Sequence, residues 1–276
     1  MGQVGVITDS SACVPGELSA KLGICVLPIS VHLSDETAGD VEAFADVADL
    51  PEQLAKEELA GANHPFVTEY LDAIETPGFD AAVLVTPAIE FATMYRNAGL
   101  AATFSKRPAH AVDSRTAAAG QALVVLAGAE AAAAGADLDG VVAVVEDAAR
   151  RVELVASLAS LEPIRRSGPL PDGLFDAPGL EGARSVFRMR DGVVEPIGTA
   201  STSDGALAMM QETFQKSGRD GVERATVFHA QAPELADQLV QLLGGVDFVT
   251  GFSIAMQIHT GGGVVGAAWI PRRLAG

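Results

Sequence analysis

The chain has 276 residues, 49% apolar and 5% aromatic, with 18 basic and 36 acidic side chains for a net charge of −18. That allows one large domain or two small ones, with cores packed from Ala, Val, Leu and Ile, and excludes a disordered chain. An acidic surface repels phosphates and anionic headgroups, so neither nucleic acid nor a membrane surface is an expected partner; acidity also simply maintains solubility.

Two cysteines, Cys13 and Cys25, are too few for a disulfide framework or a metal cluster and fit a reducing, cytoplasmic compartment. The opening MGQVGVITDS lacks the basic and apolar regions of a signal peptide. No run of 18 apolar residues occurs, and Glu130 and Asp137 interrupt the Ala-rich stretch, so no membrane insertion is expected.

In chain order, Val4 to Thr8 reads as a buried parallel strand running into the polar TDSSACVP. Gly16 to Leu22 reads as a helix, Ile24 to Leu33 as a second strand, Gly39 to Glu58 as an acidic loop and helix, and Pro65 to Ile74 as another helix. Ala81 to Val85 is an apolar strand, Ile89 to Phe104 has helical spacing, and His110 to Val112 is a short strand. A helix over Thr116 to Ala134 follows, then one capped by Asp137 and reaching Arg151. This alternation predicts βαβ units and a mainly parallel sheet.

From Val152 the pattern changes. Val152 to Leu158 is a strand entering the polar turn region LASLEPIRRSGPLPDG. Ser185 to Arg190 and Val193 to Ile197 flank Asp191-Gly192, which predicts a hairpin. Helix 204–216, strand 225–229, helix 233–243 and strand 247–249 follow, and Ser253 to Trp269 reads as two strands broken by HTGGG. The expected architecture is two α/β domains, 1–152 with a mainly parallel sheet and 153–276 with a mixed or antiparallel sheet, and a ligand slot between them.

Polar clusters fall at the ends of the predicted strands, where open parallel sheets bind ligands: Thr8-Asp9-Ser10-Ser11, Asp113-Ser114-Arg115-Thr116, and His259-Thr260 before Gly261 to Gly263. Each has an alternative local reading. The first fits a turn that bonds its own backbone, the second a cap for the next helix, and the glycines a tight turn. No phosphate loop, dinucleotide fingerprint, nucleophile elbow or metal-type histidine spacing is present. No cofactor, metal or catalytic residue is therefore assigned.

TDSSACVP, VDSRTAAAGQAL, LASLEPIRR and IHTGGGVVG, in this order and at these separations, resemble the DegV family over nearly the whole chain. The resemblance implies two α/β domains with a long-chain fatty acid between them, its carboxyl end presented to a separate ATP-dependent fatty-acid kinase. At ~0.8 kcal/mol per CH₂, a dry slot favours such a chain strongly. Asp9, Ser10, Asp113, Ser114, Gly120 and His259 match the family pattern.

Other positions depart from it. The family's T-S-Q-P-S, whose Thr helps hold the carboxylate, reads Ala62-Asn63-His64-Pro65-Phe66. Its S-S-x-L-S-G-T-Y reads Ala88 to Tyr95, with only Tyr95 unchanged, and the arginine of its G-G-R is Pro169, after Arg165 and Arg166. A buried carboxylate without donors costs several kcal/mol, so substitutes are required. Asn63, His64, Thr86 and Thr93 are the candidates, joined by Ser10, Ser114 and His259; Arg165 and Arg166 are the candidates for docking the kinase. Glu90, if it faced the slot, would favour a neutral headgroup. The expected function is a lipid-binding carrier without chemistry of its own. The alternatives are a serine-type acyl hydrolase using Ser10, Ser11 or Ser114 with His259, and a homologue that has lost fatty-acid binding and takes another small molecule or a protein.

Overall fold

The computed structural model describes residues 2–33, 59–90, 93–167 and 183–273. Two sheets define it. The first has four strands, all parallel: β1 (Val4–Asp9) pairs with β2 (Cys25–Leu27) on one side and β5 (Ala81–Thr86) on the other, and β6 (Ala109–Asp113) lies beyond β5. The second has six strands: β7 (Glu153–Leu158), the hairpin β8 (Arg184–Arg190) and β9 (Val193–Ala200), β10 (Val222–Ala230), β11 (Phe248–Gly251) and β12 (Val264–Pro271), in the order β11-β10-β12-β7-β8-β9. Only β10 and β11 pair parallel there, so the sheet is mixed, as expected. A separate two-stranded antiparallel sheet pairs β3 (Ser30–Leu33) with β4 (Leu59–Asn63).

Helices build three further layers. Over the outer face of the parallel sheet lie α2 (Val67–Ile74) and α3 (Met94–Phe104), closing a core around Tyr70, Ile74, Leu84 and Ala98. Between the sheets run α4 (Ala118–Ala133) and α5 (Leu138–Arg151). On the outer face of the mixed sheet lie α7 (Ser203–Ser217) and α8 (Pro233–Leu243), over Met210, Val227, Leu239 and Trp269. The remaining helices, α1 (Gly16–Leu22), α6 (Glu162–Ser167) and α9 (Ile254–Thr260), are short.

The sequence explains the layering. A sheet covered on both faces needs apolar residues at every strand position, and alternate residues then enter different cores. In β12, Val264, Ala268 and Ile270 face α4, whereas Val265, Ala267 and Trp269 face α7 and α8. The run AAGQALVVLAGAEAAA is apolar on all sides, which suits a helix packed between two sheets. By contrast α5 is amphipathic: Val141, Val145 and Ala148 are buried, and the Asp137 carboxylate caps the helix by accepting from Gly140 N–H at 2.9 Å. Asp191 and Gly192 both take positive φ, 52° and 81°, as a two-residue hairpin turn requires.

Three expectations need correction. The single strand over Ile24 to Leu33 is two, β2 and β3, because Pro28 lacks the N–H that would continue the ladder, and the second segment leaves the parallel sheet to pair with β4. The polar turn after β7 contains the helix α6. The segment after Ser253 is the helix α9 and not a strand: Ser253 Oγ accepts from Met256 N–H at 3.4 Å, and Ile254, Ala255 and Ile258 recur at helical spacing. The expected acidic helix within 39–58 and Pro169 lie outside the described residues.

Candidate functional site

At the carboxyl end of β1 the chain turns through a single 3-10 turn, Ser10–Ala12, capped by Asp9. The Asp9 carboxyl is fully buried. Its Oδ1 accepts from Ser11 N–H at 3.0 Å and from the Ser11 hydroxyl; its Oδ2 accepts from Gln121 Nε2 at 3.1 Å. Gln121, also fully buried, stands one turn into α4 and donates to Thr8 Oγ1 at 3.0 Å; that hydroxyl donates in turn to the Val85 carbonyl at 2.9 Å. One amide thus ties β1, β5 and the inter-sheet helix together. Burial raises the Asp9 pKa, and the three donors pull against that shift.

The neighbouring loop, after β6, is strained. Arg115 and Ala118 have φ of 55° and 49°, which non-glycine residues seldom adopt. Asp113 accepts from Arg115 N–H at 2.8 Å, so neither Asp113 nor Ser114 caps α4; Ala117 holds that position with no side-chain bond, correcting the capping expectation. Ser114 N–H donates to the Thr86 carbonyl at 3.1 Å and Ala88 N–H to the Thr116 carbonyl at 2.8 Å, which fixes the loop to the end of β5. The Thr116 hydroxyl is buried without a partner among the described residues, as is that of Tyr70 in α2. Gly120 makes room for Thr116: a Cβ there would lie 2.4 Å from Thr116 Oγ1.

Two imidazoles face this polar floor. His64 follows β4 and is half-buried; His259, also half-buried, sits in the last turn of α9, which packs against the Ser10–Ala12 turn, β3 and α6. Burial lowers the pKa of both. Asp9 opposes the shift at His64, and His64 itself depresses His259 further. Both shifts favour the neutral form, in which an imidazole carries one donor and one acceptor. Asp9 also raises the Tyr70 phenol, after desolvation as the larger cause, which places that side chain within the same field.

The structure thus gathers Ser10, His64 and His259 around Asp9. Ser10 is buried and its Oγ accepts from Ile29 N–H at 3.0 Å. Thr86 and Ser114 are buried one layer away; the Thr86 hydroxyl donates to the Pro87 carbonyl at 3.2 Å, and the Ser114 hydroxyl reaches the Thr116 carbonyl at 3.4 Å. Asn63 is exposed at the end of β4. Thr93 is exposed at the start of α3 and its side chain makes no capping bond. Glu90 lies at the β8–β9 turn, where a Cβ on Gly192 would meet its Oε2 at 3.3 Å. Arg165 is exposed on α6; Arg166 follows it, its side chain outside the described residues.

Among the described residues, the hydroxyls of Ser10, Ser11 and Ser114 are engaged with Ile29 N–H, the Asp9 carboxylate and a main-chain carbonyl. Among the described residues no cluster of three metal-ligating side chains occurs, and no helix is long and apolar enough to cross a membrane. Gln121 was absent from the predicted site. The signal for it was one amide inside an otherwise apolar helical run.

A parallel sheet with its polar groups gathered beyond the strand ends, apposed to a second sheet through a shared helical layer, defines a two-lobed α/β fold. Comparison places that fold in a family. Residues 3–272 match the model of the DegV family, described as a family of uncharacterised proteins, and the chain belongs to it. A DegV domain-containing protein of Halalkalibacterium halodurans is 25% identical over 280 residues, covering 98% of this chain and 99% of that one. Among solved structures, a fatty-acid-binding DegV family protein of Thermus thermophilus superposes with a TM-score of 0.86 at 21% identity, covering 98% of this chain and all of that one. DegV of Bacillus subtilis, a fatty-acid-binding protein, gives 0.85 at 19% identity, covering 99% and 100%.

Proposed function

We propose that this protein is a carrier that binds a long-chain fatty acid or a related apolar ligand between its lobes, with the headgroup at His64 and His259. The observation that carries the reading is the pair of half-buried imidazoles, favoured in the neutral form, facing the Asp9 turn. They offer polar contacts where the resemblance leaves Ala62 in place of a hydroxyl. Ser10, Thr86 and Ser114 serve the site by fixing the loops behind it, while Asn63 and Thr93 stand at its rim. The fatty-acid binding of structurally similar relatives supports the same ligand class.

Burying a chain of a dozen or more methylenes at ~0.8 kcal/mol each outweighs the loss of one or two headgroup hydrogen bonds, at ~1 kcal/mol apiece. A carboxylic acid that enters protonated, or a neutral headgroup, suits neutral imidazoles next to a buried carboxyl. Presentation to a fatty-acid kinase in the cytoplasm is the downstream role. Arg165, exposed on the helix that packs against the His259 helix, and Arg166 are its docking residues.

The test is native mass spectrometry of the purified protein, followed by denaturation and lipid extraction. A co-purifying acyl chain, and a melting temperature raised by added oleic or stearic acid in the parent but not in His64→Leu/His259→Leu, is the expected result. No apolar molecule recovered, and no thermal shift with any fatty acid, overturns it. A double variant that is still stabilised by fatty acid would place the headgroup elsewhere.

A further inference from the structure

Three consecutive residues hold the segment that carries His259: His229 and Ala230, which close β10, and Gln231, which follows it. The His229 carbonyl accepts from Phe252 N–H at 2.8 Å, before α9, and the Ala230 carbonyl accepts from Gly263 N–H at 2.7 Å, after it. Gln231 takes the middle, its Nε2 donating to Gln257 Oε1 at 2.8 Å. Gln257 is 6% exposed, and its own Nε2 donates to the Phe252 carbonyl at 2.9 Å. That carbonyl can only accept, so the direction of the relay is fixed: Gln231 to Gln257 to main chain.

Two features give the relay a purpose beyond packing. Gln231 has a φ of 51°, a left-handed backbone that glycine adopts freely and other residues only at a cost. Strain of this kind persists where the surrounding structure uses the side chain it presents. The helix α9, moreover, has seven residues, too few to hold their own shape in water. Its rotation therefore comes from what grips it, and the buried Gln257 amide is the grip at its middle.

Gln257 and His259 stand two residues apart, about 200° around a helix of 3.6 residues per turn, so a grip on the amide aims the imidazole the opposite way. That way lies the site. The helix packs against the Ser10–Ala12 turn and β3, and His64 is close enough to depress the His259 pKa.

We infer that Gln231 and Gln257 are positioning residues for His259, their amide relay setting the rotation of α9 that directs the imidazole at His64 and the Asp9 turn. The consequence for fatty-acid affinity rests on the headgroup reading above; the consequence for the imidazole does not.

The experiment titrates the histidine ring signals of the delipidated full chain by NMR, with His259 identified by its loss in His259→Asn. Gln231→Gly removes the first amide while suiting the backbone, and Gln257→Met removes both bonds at similar volume. Each should raise the His259 pKa by roughly half a pH unit towards 6.5, as the ring leaves its burial and His64. Gln231 is exposed, so Gln231→Gly keeps the core and decides the matter if Gln257→Met impairs folding. Gln211→Leu, which cuts an amide-to-carbonyl bond from α7 to Leu242, should leave His259 in place. Oleic acid affinity, by displacement of a fluorescent fatty acid, should fall about tenfold in both relay variants and stay unchanged in Gln211→Leu. An unmoved His259 titration in both relay variants overturns the inference, as does equal movement in Gln211→Leu. A moved titration with parental fatty-acid affinity supports the positioning role and overturns the place of His259 at the headgroup.

Discussion

Gly120→Ala is a substitution whose sign depends on one neighbour. A Cβ at position 120 would stand 2.4 Å from Thr116 Oγ1 and 3.1 Å from its Cγ2, so turning the Thr116 side chain exchanges one clash for another. Backbone on either side is pinned, by Ala88 N–H on the Thr116 carbonyl and by Gly120 N–H on that of Ala117. Relief must come from movement of the helix start, at ~1–3 kcal/mol for an overpacked core position. Against this, alanine is favoured over glycine in a helix by up to ~1 kcal/mol. The parent background should therefore lose about 1–2 kcal/mol.

Thr116→Ala removes a buried hydroxyl that has no partner among the described residues, so alone it should be nearly neutral. In that background Thr116 Oγ1 and Cγ2 are gone, and Gly120→Ala should become neutral or stabilising by a few tenths of a kcal/mol or more. Urea unfolding of the four proteins measures the cycle. Additive effects, with no coupling between positions 116 and 120, would refute the packing argument.

Three other outcomes follow from the same region. Gln121→Leu strips Asp9 Oδ2 of its donor, which disfavours the ionised carboxyl and raises an already raised pKa further above its ordinary 3.8. A carboxyl raised on folding loses stability as pH climbs through its folded pKa, so the deficit, ~1–3 kcal/mol, should be larger at pH 7.5 than at pH 4.5; a deficit independent of pH would contradict it. An anionic headgroup placed at His64 and His259 would raise imidazole pKa values that burial holds below 6.5, so binding takes up a proton. Fatty-acid affinity should then strengthen as pH falls from 8 to 6, and a flat displacement curve would remove the imidazoles from the headgroup. Finally, burial pushes the Cys13 thiol up to about 12, leaving a thiolate fraction on the order of 10⁻⁴ at pH 8. Peptide mapping after iodoacetamide treatment should find Cys13 unmodified until denaturant is added, and rapid native labelling would show the turn opens.

Strand and helix alternation was readable because apolar runs and turn residues carry it locally, and the Asp191-Gly192 hairpin and the Asp137 cap fall where their chemistry places them. The segment after Ser253 was misread for a local reason. Short apolar stretches such as Ile254 to Ile258 fit strand and helix alike, and the decision between them came from a Ser253 cap and packing against distant residues. For the site, Asp9, His64 and His259 could be named from strand ends and motif positions, but their convergence depends on the paired strands β3 and β4 and on α9 meeting at one turn. Gln121 shows the limit most sharply. Its partners, Thr8 and Asp9, lie more than a hundred residues earlier, and only the sheet order brings them within 3.0 and 3.1 Å.

The helix from Ala118 to Ala133 buries side chains against both sheets at once. Each sheet loses much of its inner cover without it, so severing the chain after residue 152 would leave one fragment with a bare apolar helix and the other with an exposed strand surface. The molecule should therefore melt in one calorimetric transition and regain its form only when both pieces are present together.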